Sequence, residues 1–351
     1  MLGQLQRSFQ FRHSCLRVMK TRLLGLLCIL GYAQCGLPNK DSKWPLNIAH
    51  RGSKQGADYI ECDVVITSDL ELVCSHEPWI SETSNVADHT GKISGVPHTD
   101  FSDRLKTYNM NDDDLGFDWN DKGDVTDYFT FDFTLKEIME LRRKQTKPNR
   151  DSQFDWKYSF VTFDEFIDIA KSFNAGIYPE IKQPSAINRV EDIILRKLSE
   201  HGYDSELSKV FIQCFELSTI KSLQSKTPMK RIFLVKREPK FTESLWEELS
   251  DNGIYDSNDP GLIRFVERER IETIHSYGLK AHLYTFRNEW TDIPWDFGKD
   301  PYKEYEEYVR IGIDGFFTDF PATLANFKKN VHINGWKGFN GKGGGNTSKI
   351  L

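Results

Sequence analysis

The stretch Tyr59-Ile60-Glu61-Cys62-Asp63-Val64-Val65-Ile66 is an apolar run that carries two carboxylates two positions apart. Successive side chains of a strand point to opposite faces, so Glu61 and Asp63 emerge on the same side. Short apolar runs of this kind are typical of strands buried in a parallel sheet. A charge in such a strand is costly unless it is paired or bound to a metal. The run therefore predicts a buried strand with a functional group on one face.

Further short apolar runs have the length of buried strands. They are Leu46–Ala49, Leu72–Ser75, Gly176–Ile181, Val210–Cys214, Ile232–Val235, Ala281–Phe286 and Gly315–Phe317. Helical patterns separate many of these runs, at 185–200, 216–224, 260–277 and 302–311, and capping boxes at Thr134 and Thr162 begin two more helices. Strands that alternate with helices indicate a parallel sheet, and about eight of them favour a closed α/β barrel.

Three segments depart from this alternation. Residues 82–157 are polar and rich in Asp and Asn, so we expect an inserted loop or subdomain after the third strand. At the N-terminus a basic stretch, 19–22, precedes an apolar run, 23–33, which is the pattern of a signal peptide; a buried N-terminal helix is the alternative. We assign 1–35 to an N-terminal extension with a signal peptide, 36–330 to the barrel and 331–351 to a disordered tail rich in Gly and Lys. The expected location is extracellular, or the lumen of a lysosome or vacuole.

The composition limits the classes of partner. The formal net charge of −6 disfavours nucleic-acid binding, which needs a basic surface. No apolar run reaches the roughly 18–20 residues that span a bilayer, so we predict no transmembrane segment. A small-molecule substrate is expected, and no protein partner is predicted.

Three cysteines remain after the predicted cleavage, namely Cys62, Cys74 and Cys214. On a strand, Cys62 faces away from its two acidic neighbours, whereas Cys74 shares its parity with His76. Cys62 and Cys74 are therefore expected on opposite faces, where a disulfide between them is unfavourable. The sequence predicts buried free thiols.

Polar side chains lie near the carboxyl ends of four predicted strands, where the active sites of parallel α/β barrels are found. They are His50, Arg51, Glu61, Asp63, His76, Glu180 and Lys182. The three carboxylates would form a hard oxygen site that suits one divalent cation, Ca²⁺ or Mg²⁺. Such a cation would neutralise a phosphate oxygen and stabilise charge developing at phosphorus.

The other four side chains suit the cleavage of a phosphodiester. His50 and His76 could divide acid and base duties across the P–O bond. Arg51 offers bidentate hydrogen bonds to phosphate, and Lys182 offers a point charge. Each group also has a structural interpretation, such as a hydrogen-bonded histidine at a strand end or an ion pair with the neighbouring glutamate. The occurrence of all of them at strand ends favours the functional interpretation.

Three motifs resemble the signatures of the glycerophosphodiester phosphodiesterase family, in particular its secreted or periplasmic branch. They are Ile48-Ala49-His50-Arg51-Gly52, Gly56-Ala57-Asp58-Tyr59-Ile60-Glu61-Cys62-Asp63 and Tyr178-Pro179-Glu180-Ile181-Lys182. The resemblance implies a TIM (β/α)8 barrel with an insertion after the third strand. It also implies metal ligation by Glu61, Asp63 and Glu180, catalysis by His50 and His76, and phosphate contacts from Arg51 and Lys182. The implied reaction is hydrolysis of glycerophosphodiesters to glycerol 3-phosphate and an alcohol.

The sequence departs from the family after Gly52, where roughly 15–20 residues are absent, with the first barrel helix among them. Only eight residues lie between His50 and Tyr59, whereas a parallel crossover normally needs about a dozen or more. We therefore expect apolar strand surface to be exposed on that side of the barrel. Two alternative functions stay open: a catalytically impaired shortened isoform with a binding or regulatory role, and a lysophospholipase D-like phosphodiesterase.

Overall fold

The structure is a computed structural model, and it describes residues 44–52, 55–110, 123–182, 190–235, 243–251, 254–258 and 268–334. Two sheets occur within these residues, one of nine strands and one of two. In chain order the strands are β1 (Leu46–Ala49), β2 (Tyr59–Ile66), β3 (Leu72–Cys74), β4 (Leu105–Asn109), β5 (Asp124–Tyr128), β6 (Gly176–Ile181), β7 (Phe211–Cys214), β8 (Lys230–Val235), β9 (Ile254–Asn258), β10 (Ala281–Phe286) and β11 (Gly315–Thr318).

Eight strands of the large sheet are parallel and close into a barrel. Neighbouring strands follow the order β2, β6, β7, β8, β9, β10, β11, β1. The ring closes because β1 pairs with β2, Ile48 opposite Tyr59 and Ala49 opposite Ile60. Large side chains from opposite sides of the ring, such as Tyr178 and Phe317, pack together in its interior. The predicted α/β TIM barrel is therefore confirmed.

Two strand assignments from the sequence are corrected. The run at 72–75 does not supply a parallel barrel strand, because β3 pairs antiparallel with β2 at the outside of the ring. The eighth barrel strand is instead β9, which was not predicted. Its sequence, Ile254-Tyr255-Asp256-Ser257-Asn258, lacks an apolar run, and it is defined by backbone pairing with β8 and β10.

Helices surround the barrel. Those of the described residues are α1 (Leu135–Glu140), α2 (Phe163–Ser172), α3 (Val190–Glu200), α4 (Leu217–Lys226), α5 (Glu243–Asp251), α6 (Arg268–Ser276), α7 (Pro301–Ile311) and α8 (Pro321–Asn334). The predicted capping boxes at Thr134 and Thr162 are confirmed at the starts of α1 and α2. Apolar faces of the helices pack on outward-facing strand residues to form the main hydrophobic core.

The connection from β1 to β2 has no helix in its described residues, 50–52 and 55–58, as predicted. Asn47 holds this connection in place. Its backbone N–H donates to Oδ2 of Asp58 at 2.8 Å, and its side-chain amide donates to the carbonyl of Gly56 at 3.1 Å. Lys328 of α8 adds an ion pair with Asp58 at 2.9 Å. The short link is therefore fastened to the last helix of the barrel.

The expected exposure of strand surface beside this link is wrong. Ala49 and Ile60 are only 0% and 2% exposed. Helix α8 packs against β1, and the rings of Trp44 and Phe327 meet edge to face near this contact. Exposed apolar side chains occur instead on α2 and directly after it, where Ile169 is 44% and Phe173 is 39% exposed.

The segment between β3 and α2 forms the insertion, and it has its own small core. Strands β4 and β5 pair as an antiparallel hairpin, and α1 follows them. Phe101, Phe133 and Leu141 pack there with Val65 of β2 and Val73 of β3. The insertion is therefore attached to the barrel through the strand pair that carries the site residues.

A disulfide joins Cys62 and Cys74, which corrects the prediction of free thiols at these two positions. In the antiparallel register Val64 lies opposite Cys74, so Cys74 shares the outward face of Val64 and Cys62. The parity argument failed because β3 ends at Cys74, and the strand alternation does not continue to His76. Cys214 is a free, buried cysteine, as predicted.

In the part of the chain that the structure describes, no helix is both long and apolar enough to cross a membrane. The predicted signal peptide within 1–35 lies outside the described residues. Residues 331–334 continue α8, and the rest of the predicted tail, 335–351, also lies outside them.

Candidate active site

Three carboxylates meet at the carboxyl ends of β2 and β6. The parallel register places Asp63 opposite Glu180, and Glu61 lies two residues earlier on the same face of β2. One oxygen from each of Glu61, Asp63 and Glu180 lies within 4.8 Å of the other two, and all three side chains are buried. The structure thus brings together the three predicted metal ligands.

The site holds negative charge in a poorly hydrated environment. Burial raises the pKa of Glu61 well above its ordinary value, and repulsion from Asp63 and Glu180 acts in the same direction. Burial also raises the pKa of Glu180, to about 7. Burial acts to raise the pKa of Asp63 too, but attraction from Lys182, His76 and Arg51 outweighs it and holds that pKa below its ordinary value. The three carboxylates therefore repel one another and compete for positive charge.

Two cations of the chain offset part of this charge. Nζ of Lys182 lies 3.1 Å from Asp63 and 2.7 Å from Glu180, and Nε of Arg51 lies 3.3 Å from Asp63. Lys182 and Arg51 thus supply two positive charges to three carboxylates. The side chain of Arg51 is 45% exposed. Clustered carboxylate oxygens are the donor set that Ca²⁺ and Mg²⁺ prefer. The residues present therefore fit a hard divalent cation.

Arg51 approaches the site through its backbone as well as its side chain. Its φ is +56°, a region that residues with a side chain seldom adopt. In this conformation its backbone N–H donates to Oε2 of Glu61 at 2.7 Å while its guanidinium pairs with Asp63. The turn after β1 is thus shaped to contact two of the three carboxylates.

His50 is held by a carboxylate that the sequence argument did not include. Its Nδ1 lies 2.5 Å from Oδ1 of Asp319, which follows β11. Asp319 also pairs with Arg150 at 2.5 Å and with Arg287 at 3.0 Å. Burial acts to raise the pKa of Asp319, but the hydrogen bond from His50 and the two arginines outweigh it, so that pKa is lowered. An ionised Asp319 therefore fixes the orientation of the imidazole.

His76 has a similar arrangement with its neighbour in sequence. Its Nδ1 lies 2.5 Å from Oε1 of Glu77. Burial lowers the pKa of His76, and Lys182 lowers it further, whereas Asp63 opposes this effect. Burial likewise lowers the pKa of His50. Both histidines are thus disposed to be neutral near pH 7, each with one ring nitrogen engaged by a carboxylate.

One cavity of about 740 Å³ joins these groups. His50, Arg51, Glu61, Asp63 and His76 line it, and Glu180 and Lys182 reach the same site through their contacts with Asp63. The cavity is also lined by charged residues that the sequence argument missed, namely Glu77, Arg143, Arg150, Arg287 and Asp319. Asp319 and Arg287 could have been found, because Arg287 directly follows a predicted barrel strand and Asp319 lies two residues after another. Arg143 and Arg150 come from the insertion, whose sequence has no strand or helix period that would place them.

An α/β barrel with clustered carboxylates and two carboxylate-bound histidines at the strand ends belongs to the class of barrel enzymes. Residues 46–323 match the model of the glycerophosphoryl diester phosphodiesterase family. The chain belongs to this family of phosphodiesterases.

Individual relatives agree with this assignment. The chain is 32% identical over 339 residues to glycerophosphodiester phosphodiesterase GDPD6 of Arabidopsis thaliana, an alignment that covers 81% of this chain and 86% of that protein. It is 22% identical over 357 residues to a glycerophosphodiester phosphodiesterase of Haemophilus influenzae, covering 81% and 90% of the two chains.

Two solved structures support the fold. One is a phosphodiesterase of Oleispira antarctica in complex with the product sn-glycerol-3-phosphate, with a TM-score of 0.54, 17% identity and coverage of 80% of this chain and 96% of that one. The other is a glycerophosphoryl diester phosphodiesterase of Parabacteroides distasonis, with a TM-score of 0.54, 17% identity and coverage of 84% and 90%.

Proposed function

We propose that the protein hydrolyses glycerophosphodiesters to glycerol 3-phosphate and an alcohol, with one divalent cation, Ca²⁺ or Mg²⁺. The observation that carries the proposal is the meeting of Glu61, Asp63 and Glu180 beside His50 and His76 at one cavity. Membership of the family supports the reaction. The glycerol 3-phosphate bound by the Oleispira antarctica phosphodiesterase supports the product.

Glu61, Asp63 and Glu180 would hold the cation, and they fit it by ligand type, proximity and burial. When bound, the cation would neutralise a non-bridging phosphate oxygen and stabilise charge developing at phosphorus. Arg51 and Lys182 are the proposed phosphate contacts, Arg51 through a guanidinium fork and Lys182 as a point charge. Lys182 also limits the repulsion between Asp63 and Glu180, which it bridges.

His50 and His76 are the proposed acid and base. With Nδ1–H donated to Asp319, His50 keeps an unprotonated Nε2 that can accept a proton from the attacking water. His76, held at Nδ1 by Glu77, would act in its imidazolium form, whose Nε2–H passes to the leaving alkoxide while His50 takes up the proton of the nucleophile. Asp319 and Glu77 are proposed as positioning residues, because each is hydrogen-bonded to Nδ1 of its histidine.

The experiment is release of glycerol 3-phosphate from glycerophosphocholine by purified protein, with saturating Ca²⁺ or Mg²⁺. We expect His50→Ala and His76→Ala each to lower kcat by on the order of a hundredfold or more, the usual contribution of a positioned acid or base. His201→Ala is the matched control, because that histidine pairs with Asp164 on the outer surface of the barrel. An inactive wild-type protein that still folds and binds the cation would favour the impaired-isoform alternative.

A lysophospholipase D-like activity is the second candidate, and one observation favours it. The same cavity is lined by the exposed apolar side chains of Phe154, Tyr158, Ile169 and Phe173. These side chains are suited to contact an acyl chain attached to the glycerol. Parallel assays on lysophosphatidylcholine and glycerophosphocholine decide between the two: activity on the lysolipid alone would make this candidate the main function.

We also propose that the protein works outside the cell or in a lysosomal or vacuolar lumen. The Cys62–Cys74 disulfide supports an oxidising compartment, since disulfides persist there and are rare in the cytosol. The signal-peptide pattern at 19–35 supports entry into the secretory route. N-terminal sequencing of protein recovered from the culture medium of an expressing eukaryotic cell tests this proposal. A product retained in the cytosol with residues 19–35 intact would refute it.

A further inference from the structure

Arg143 of the insertion carries a guanidinium that reaches the wall of the catalytic cavity. Its backbone is fixed on both sides, because its N–H donates to Tyr158 at 2.7 Å and its carbonyl accepts from Trp156 at 2.7 Å. The guanidinium lies 4.5 Å from the centre of the Phe160 ring. One of its N–H groups donates to Oγ of Ser75 at 3.2 Å. The side chain is therefore held in one place by stacking and by a single neutral hydrogen bond.

Ser75, which accepts that hydrogen bond, belongs to the segment that carries the proposed catalytic residue His76. Ser75 directly precedes His76, and its backbone N–H donates to the carbonyl of Asp63 at 3.0 Å. Its hydroxyl also donates to the carbonyl of Glu77 at 2.9 Å. The positive charge of Arg143 thus lies beside the stretch that carries one histidine and next to the strand that carries two carboxylates.

Within the described ranges, Arg143 differs from the other arginines of the cavity because it has no carboxylate partner. Arg51 pairs with Asp63, Arg150 with Glu289 and Asp319, and Arg287 with Asp319. Among the described residues, no carboxylate lies within ion-pair distance of Arg143. Burial, followed by repulsion from Arg51, lowers its pKa to about 10, so the group still carries its charge at neutral pH. A charge held in a poorly hydrated wall without a counter-ion is unfavourable until an anion arrives.

We propose that Arg143 is a phosphate-binding residue that receives a non-bridging oxygen of the substrate phosphodiester and of the phosphomonoester product. The inference rests on the proposed function and adds a ligand contact from the insertion to those from the barrel. A guanidinium is suited to this role, because its N–H groups match the geometry of phosphate oxygens. The Phe160 ring holds the guanidinium of Arg143 in position without neutralising its charge. The insertion would then act in substrate recognition as well as covering the barrel.

The test compares Arg143→Met and Arg143→Lys with the wild-type protein. Calorimetric titration with glycerol 3-phosphate and with inorganic phosphate measures anion binding, and KM and kcat are measured with glycerophosphocholine. We expect Arg143→Met to weaken anion binding by about 10- to 100-fold, the usual effect of losing hydrogen bonds to a charged group. KM of Arg143→Met should rise by a similar factor, which is larger than the factor by which its kcat falls. Arg143→Lys should give values between those of Arg143→Met and the wild type.

Arg104→Gln is the matched control, because Arg104 also lies over a phenylalanine of the insertion, Phe133, but pairs with Glu137 and does not line the cavity. It should change neither anion binding nor KM, whatever its effect on melting temperature. A folded Arg143→Met variant that binds both anions as tightly as the wild type would overturn the proposal. If that variant does not fold, Arg143→Lys decides, since unchanged anion binding there would also overturn it. An inactive wild type would refute the proposed function alone, because the titration still measures the contact.

Discussion

Gly56 lies where the short connection between β1 and β2 passes closest to α8. Its φ is +83°, and a Cβ atom built there would lie 2.6 Å from Cβ of Ala325. Both the backbone conformation and the available space therefore require glycine at this position. Glycine at position 56 therefore allows the short connection to lie against α8, the helix that covers β1.

The corresponding prediction compares Gly56→Ala with Gly95→Ala by thermal and urea unfolding. Gly95 has a similar φ of +74° but no atom within 4 Å of the built Cβ. We expect Gly95→Ala to lose about 1 kcal/mol from the left-handed conformation alone, and Gly56→Ala to lose a further 1–3 kcal/mol or so from overpacking. Equal losses of unfolding free energy in the two variants would show that the contact with Ala325 is not constraining.

Glu304 is a second single residue with a measurable consequence. It is buried in the first turn of α7 at 7% exposure, and burial raises its pKa to about 8 from an ordinary value of 4.5. Below pH 4.5 both the folded and unfolded states keep this proton. Between pH 4.5 and 8 only the unfolded state releases it, so stability falls as the pH rises, by on the order of a few kcal/mol.

We therefore predict that Glu304→Gln raises the melting temperature at pH 8.5, about half a unit above the folded-state pKa, and changes it little near pH 4.5. Glu307→Gln, on the same helix but paired with Arg310 at the surface, controls for loss of a carboxylate. A stabilisation by Glu304→Gln that is the same at both pH values would contradict the role given to burial.

At the scale of elements, the β2–β3 pair connects the strand of two proposed metal ligands to the segment that carries His76. The Cys62–Cys74 disulfide closes a loop with a sequence separation of 12 on the outward face of this pair. In the chain-entropy account, a loop of this length stabilises the folded state by about 3 kcal/mol. The disulfide thus fastens the connection between two parts of the site.

We predict that the double variant Cys62→Ala/Cys74→Ala unfolds at lower urea concentration than the wild type, with a loss of up to about 3 kcal/mol. Cys214→Ala is the control, since that cysteine is buried but unpaired in the structure. Addition of a reductant should lower the stability of the wild type and leave that of the double variant unchanged. A wild type that is insensitive to reductant would contradict the stabilising role.

The elements differ in how far the sequence could predict them. Strand β2 is recognisable because its apolar positions continue on the outward face while its carboxylates occupy the inward one. Strand β9 was missed because a barrel strand can be polar when its backbone pairs on both sides. The antiparallel direction of β3 was missed because a short apolar run carries no information about which way its partner runs. The Cys62–Cys74 disulfide depends on the antiparallel direction of β3, so it was missed for the same reason.

At the scale of the whole molecule, the barrel brings together residues from distant parts of the chain. The seven predicted site residues converge because the carboxyl ends of parallel strands lie at one end of a barrel, which strand parity and order allow one to predict. The partners Asp319, Arg150 and Arg143 depend on the three-dimensional path of β11 and of the insertion. The ring is closed although the described residues between β1 and β2 form no helix, because β1 pairs directly with β2.

The account depends most on Glu61, Asp63 and Glu180 forming one cation site that cleavage requires. The direct measurement is the rate of glycerol 3-phosphate release from glycerophosphocholine by chelator-treated protein, titrated with Ca²⁺ or Mg²⁺. We predict no release without a divalent cation, saturable recovery on its addition, and no recovery in Glu61→Gln, while Glu200→Gln on the outer surface recovers as the wild type does. Full activity in the absence of divalent cations, or full recovery in Glu61→Gln, would contradict the account.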